Sequence, residues 1–203
     1  RLGSSRKRVE DARFTQGKGN YVDDIKLPGM LFGDFVRSPY AHARVKSINT
    51  EAALAVPGVH AVITAADLEP LKLHWMPTLA GDVQMVLADG KVLFQGQEVA
   101  FVVADNRYAA DDGINAVEVE YEELPVIVDP FKAELEGAPV LREDIADKKE
   151  GAHGPRRHPN HIFTWESGDR DATESVLAEA DVVAEEMIYY HRTHPCPLET
   201  CGS

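Results

Sequence analysis

Cysteine is scarce. The two cysteines, Cys196 and Cys201, both fall in the last eight residues, so no disulfide framework staples the fold, and reduced thiols fit an intracellular compartment. Long apolar runs are missing as well. Nothing approaches the roughly 20 residues that span a bilayer, and the basic start, RLGSSRKRVEDARF, lacks the apolar centre of a secretory signal. The expectation is a cytoplasmic protein. Basic residues are outnumbered, 21 Lys and Arg against 34 Asp and Glu, for a net charge of −13 and a pI near 5.0. That balance excludes sequence-independent binding to nucleic acid or to an anionic membrane. Its simpler meaning is solubility.

What is present is an ordinary globular composition: 203 residues, 44% apolar and 27% charged, enough for one or two domains with a hydrophobic core. Residues 17–44, GKGNYVDDIKLPGMLFGDFVRSPYAHAR, carry dense turn chemistry. Gly17 and Gly19 permit unusual backbone angles, Asp23 and Asp24 can cap a turn, and Pro28-Gly29 makes another. Leu31 to Val36 and Ala43 to Ile48 then read as strands. Thr50 is placed to cap a short helix from Ala52 to Val56, ended by Pro57-Gly58. Val59 to Thr64 reads as a β-branched strand, and residues 65–90 as a long connection broken by Pro70, Pro77, Gly81 and Gly90.

Val92 to Phe94 and Val99 to Val103 read as strands, the second apolar enough to be buried on both faces. Asn106 is placed to cap a helix through Asn115 that buries Ala109, Ala110 and Ile114, with Gly113 costing about 1 kcal/mol against alanine. The alternation VEVEY, Val117 to Tyr121, predicts a half-exposed strand. Leu124-Pro125 breaks it, and Val126 to Val128 resumes an apolar strand. Residues 129–160 read as a charged, Pro- and Gly-containing connector. Beyond it, His161 to Glu166 reads as a strand, Ala172 to Ala180 as a helix capped by Asp169 or Asp171, and Asp181 to Tyr190 as a strand with Val183, Ile188 and Tyr190 inward. A single strand, helix, strand unit cannot close a core alone.

Chemistry-bearing clusters are few. His191, His194, Cys196 and Cys201 have the ligand types of structural zinc. Their order is wrong for it, however, and Pro195 and Pro197 stiffen the segment, so ordinary chain is the preferred reading. Arg156 and Arg157, with His153, His158 and His161 nearby, could form an anion site that pairs guanidinium with phosphate; pairing with acidic neighbours is the simpler alternative. Gly17-Lys18-Gly19 lacks the spacing of a phosphate loop. Asp23 and Asp24 are turn caps rather than acid-base groups. Tyr40 and His42, beside Arg37 and Arg44, read as scaffold or interface. The stretch 73–82, with His74, Trp75 and Met76, is either a subunit contact, a substrate-channel wall or a self-anchoring loop.

Four segments in one order carry a family resemblance. They are residues 17–44, then LHWMPTLAGDVQMVLADGKVLFQGQEVAFVVA at 73–104, GAHGPRRHPNHIFTWESGD at 151–169, and HRTHPCPLETC at 191–201. Together they resemble the large, molybdenum-bearing subunit of the xanthine dehydrogenase and aldehyde oxidase superfamily, and within it the aerobic carbon monoxide dehydrogenases. The resemblance implies an α+β chain: an extension at 1–16, an α/β-hammerhead domain at 17–128, a connector at 129–160, and at 161–203 the incomplete start of a molybdenum-cofactor-binding domain. Gly113 departs from the family pattern, which usually has alanine there.

The resemblance also implies a full-length subunit holding molybdopterin cytosine dinucleotide and copper. Such a subunit forms a large-subunit dimer with iron-sulfur and flavin partner subunits, and oxidises carbon monoxide to carbon dioxide. No position here matches the family's catalytic, cofactor or metal residues, so the expectation is a truncated piece that binds neither group alone. The alternatives are another molybdenum hydroxylase, acting on an aldehyde, purine or heterocycle, a non-catalytic docking module, or a small zinc protein.

Overall fold

The apolar run centred on Val99 to Val103 lies between two other strands, with Ala100, Val102 and Ala104 fully buried and Phe101 and Val103 partly so, so burial on both faces is only partial. The computed structural model describes residues 3–73, 75–77, 83–146, 150–151, 154–191, 193 and 196. In chain order the elements are α1 (Asp11–Phe14), β1 (Phe32–Arg37), β2 (Ala43–Asn49), α2 (Glu51–Leu54), β3 (Val59–Thr64), α3 (Ala65–Leu68), β4 (Trp75–Pro77) and β5 (Val83–Met85). There follow β6 (Lys91–Val92), β7 (Glu98–Ala104), α4 (Arg107–Ala116), β8 (Glu118–Glu123), α5 (Glu143–Ala146), β9 (Glu150–Gly151), β10 (Gly154–Pro155) and α6 (Arg170–Ala178). The chain divides into two units, Leu31–Gly168 and a second made of Arg1–Met30 with Asp169–Ser203.

In the larger unit, β7 is flanked by β1 and β3, both antiparallel to it. Phe35 and Ile63 sit opposite Phe101 from the two sides, with the Phe35 and Phe101 rings 4.7 Å apart. Gly33 leaves room for the Phe101 ring, which a Cβ there would strike. The helix α4 covers this sheet. Asn106 caps it, its Oδ1 accepting from the Ala109 N–H at 3.0 Å, and Ala109, Ala110 and Gly113 are buried. Ile114, expected inside, is only partly buried, because Gly113 takes the closest approach: a Cβ there would come within 2.8 Å of Val102 and 2.9 Å of Val59.

A second sheet has the order β6-β2-β8. Its alternation is the one VEVEY predicts. Val119 and Tyr121 pack against the buried Ala43, Val92 and Val99, while Glu118 accepts from Asn49 (3.2 Å) and Glu122 meets Lys46 (2.7 Å) on the open face. Val119 also packs with Val36, Ala100 and Val102, so it belongs to both apolar clusters. This mixed arrangement is the α+β class expected.

Several local expectations are corrected. Thr50 makes no side-chain cap on α2; Asn49 does, accepting from the Glu51 N–H at 3.1 Å. Residues 65–90 hold α3 and the β4-β5 hairpin rather than a structureless connection. The strand expected from Val92 to Phe94 ends at Val92. Val126 to Val128 forms no strand, and Val128 is 81% exposed. Neither His161 to Glu166 nor Asp181 to Tyr190 is a strand; Ile188 and Tyr190, expected inward, are exposed. The physical reason is common to all three. A strand needs a ladder partner, and none pairs with these stretches among the described residues. In the same region α6 forms as expected, with Asp169 rather than Asp171 as its cap, accepting from the Ala172 N–H at 2.9 Å.

Candidate functional site

The two arginines singled out from the sequence sit at the centre of a polar knot formed by residues 133–146 and 156–164. Arg156 spends its guanidinium on backbone oxygens. Its Nε–H donates to the His161 carbonyl at 2.6 Å, and its two terminal nitrogens donate to the carbonyls of Ile145, at the end of α5, and Pro159. Arg157 forms a fork on Glu134, with Nε to Oε2 at 2.7 Å and Nη2 to Oε1 at 3.0 Å. That pairing holds the Glu134 carboxyl below the usual carboxylate range, first through the Arg157 hydrogen bonds and also through the Arg157 charge. It raises the Arg157 guanidinium in turn. Both arginines are therefore engaged inside the chain: Arg157 pairs with an acidic neighbour, the simpler alternative, and Arg156 binds backbone carbonyls.

Asn160, which the sequence reading passed over, ties the knot to its surroundings. Its Oδ1 accepts from the Leu141 N–H at 2.9 Å, and its Nδ2 donates to the carbonyls of Ala133 (2.8 Å) and Pro139 (3.0 Å). The available signal was its side chain, an amide suited to bonding nearby backbone in a Pro-rich turn. His161 is 6% exposed. Lys91 closes the far side, its Nζ donating to the Leu141 carbonyl at 2.6 Å.

The pH response of this pairing has a definite sign. Because the folded-state Glu134 pKa is lowered, its contribution is present above the ordinary glutamate value and is lost as pH falls through the folded value. The pair is exposed, and solvent screens it. An NMR titration of Glu134 is expected to show a midpoint below that of an unpaired glutamate, moving up in Arg157→Ala. A midpoint unchanged by that substitution would contradict the assignment.

Elsewhere the sequence candidates do not converge. Asp24 caps the short turn Val22–Asp24, accepting from the Tyr21 N–H at 3.0 Å, as a turn residue should. His42 is 4% exposed and donates from Nδ1 to the Pro125 carbonyl at 2.6 Å, which makes it scaffold rather than interface. Tyr40 stacks at a tilt on Tyr121, 5.2 Å between centroids, and burial pushes the Tyr121 phenol up, against a lowering bond from Ser38. Of the four terminal His and Cys residues, His191 and Cys196 are exposed, while His194 and Cys201 lie outside the described residues. So do His74, His153 and residues 78–82. Among the described residues no three His, Cys, Asp or Glu side chains gather as a metal site, and no helix is long and apolar enough to cross a membrane.

Two three-stranded sheets, one of them covered by α4, are the hammerhead-type arrangement expected of this class. Residues 16–125 match the family described as aldehyde oxidase and xanthine dehydrogenase, a/b hammerhead domain, and the chain belongs to that family. Among its curated relatives are the carbon monoxide dehydrogenase large chains of Afipia carboxidovorans, 70% identical over 98% of this chain, and of Hydrogenophaga pseudoflava, 67% identical over 95%. This chain covers 25% and 24% of those proteins; it spans about a quarter of their length. Among solved structures, reconstituted CO dehydrogenase from Oligotropha carboxidovorans superposes with a TM-score of 0.86 at 70% identity, over 98% of this chain and 25% of that one. The aldehyde oxidoreductase from Desulfovibrio gigas superposes at 0.62 with 28% identity, over 89% of this chain and 19% of that one.

Proposed function

We propose that this chain is part of the molybdenum-bearing large subunit of an aerobic carbon monoxide dehydrogenase. The observation that carries the reading is the 70% identity to such a large chain, sustained over 98% of the sequence here. When bound in the complete subunit, molybdopterin cytosine dinucleotide and copper would supply the redox centre for CO + H2O → CO2 + 2H+ + 2e−, the electrons leaving through iron-sulfur and flavin subunits. Among the described residues, the anion candidates Arg156 and Arg157 do not fit those groups, being bound to backbone carbonyls and to Glu134. No chemical step is assigned to them. The chain's part is mechanical, a sheet-and-helix scaffold that the catalytic segments of the subunit rest upon.

The cytoplasmic setting and the large-subunit dimer belong to this proposal, as does the division into a 17–128 hammerhead, a 129–160 connector and a 161–203 start of the cofactor domain. The family match at 16–125 supports the first boundary. A compact unit spanning Leu31–Gly168 supports reading the described part of the connector as packed with the hammerhead.

Grafting supplies the test. Replacing the matching quarter of the Afipia carboxidovorans large chain by these 203 residues is expected to leave CO-dependent dye reduction within about threefold of the parent, since volume-conserving scaffold changes cost little. A chimera that assembles with full molybdenum and copper content yet oxidises no CO would reject the assignment.

A further inference from the structure

We propose that residues 156–164 form a histidine-keyed latch, closed while the His158 and His161 rings are neutral and released when they take up a second proton. The argument begins with ring nitrogens. His161 Nδ1 accepts from the Arg157 backbone N–H at 3.4 Å, and His158 Nδ1 accepts from the Asn160 backbone N–H at 3.1 Å. A nitrogen that accepts carries no proton, so each ring is the neutral Nε2–H tautomer. His161 then donates from Nε2 to Thr164 Oγ1 at 3.0 Å. Protonating an Nδ1 turns that acceptor into a donor aimed at another donor, and the backbone bond to that ring breaks.

The consequence spreads through Asn160. Its backbone N–H is held by His158, and its side chain holds the Leu141 N–H and the carbonyls of Ala133 and Pro139. Loosening the first bond frees the residue that makes the other three. Imidazole changes charge between about pH 5 and 8.

Charged neighbours come from each packed element. From its own loop, Arg156 bonds the His161 carbonyl and Arg157 follows it in the chain; both guanidinium groups oppose a further cation. From the 133–134 turn, Glu134 favours the imidazolium, but it is forked by Arg157. From the α5 segment, Asp144 is taken by Arg142 at 2.7 and 2.6 Å, and Glu143 faces Arg44 and Lys91, both at 3.6 Å. No titratable group in that set offers the protonated Nδ1 a replacement acceptor at the position of the lost one.

The experiment follows amide exchange of Arg157 and Asn160, corrected for intrinsic rate, from about pH 8 to about pH 5. Protection is expected to fall about tenfold, the scale of one lost hydrogen bond. His158→Asn and His161→Asn keep an oxygen acceptor that does not titrate, and in the double variant protection is expected to stay flat. Nitrogen-15 spectra of the unaltered protein near pH 8 should give the Nε2–H tautomer for both rings, a readout independent of whether the variants fold. An Nδ1–H tautomer at either ring, constant protection in the unaltered chain, or an acid loss that persists in the double variant would each overturn the latch.

Discussion

Gly113→Leu is expected to destabilise the chain by more than about 3 kcal/mol, at or beyond the upper end for overpacking a filled core. Leucine is a strong helix former, so the loss cannot come from helix propensity; it isolates packing. The site is closed by two γ-methyl groups of β-branched valines, Val102 Cγ1 and Val59 Cγ2, at 2.8 and 2.9 Å from where a Cβ would stand. Neither can step aside readily. Valine is stiff at χ1, Val102 is fully buried on the central strand β7, and Val59 opens the flanking strand β3.

Gly113→Ala tests the same geometry at finer scale. Alanine gains about 1 kcal/mol of helix propensity against an overpacking cost of about 1–3 kcal/mol, so a net loss of about 1 kcal/mol is expected. In a Val59→Ala background one colliding methyl is gone, and the same substitution should become neutral or stabilising. Urea unfolding of the four species in that cycle reads the coupling directly. Additive effects would show that α4 does not sit on β3 and β7 as described.

This helix also illustrates what a single sequence can convey. The cap at Asn106, the apolar stripe through Ala109 and Ala110, and the central strand beneath were legible because each is a local pattern: an Asx side chain before a helix, a 3.6-residue period, a continuous apolar run. Gly113 was visible as an anomaly, and its cause was not, since the colliding methyls come from positions distant in the chain. The same limit explains the strands wrongly expected at 126–128, 161–166 and 181–190. Period and propensity report which face a strand would bury, but pairing decides whether it forms. At the polar knot, residue types were legible and partners were not. Arg156 and Arg157 read more readily as ties to acidic neighbours than as anion ligands, but the actual partners, Ile145, Pro159 and Glu134, could not be read from the sequence.

Arg156→Ala carries the second large expected effect. One guanidinium serves the carbonyls of Ile145, Pro159 and His161, and its loss leaves three half-buried acceptors to find water or go unpaired. Hydrogen bonds to a charged group contribute about 1.5–3 kcal/mol each, and a shared donor makes them non-additive, so a loss of about 3 kcal/mol is expected for the set. Arg156→Lys should recover less than half of it, because an ammonium on a flexible stem cannot present a planar fork to three oxygens at once. Urea unfolding gives the magnitude, and amide exchange gives the location. Protection is expected to fall in 141–146 and 157–161 while β7 and α4 keep theirs, since their ladders do not pass through Arg156. Equal stability of Arg156→Lys and the parent would mean that charge alone suffices there. A loss spread evenly over β7 would mean that the knot and the hammerhead sheet unfold as one cooperative unit.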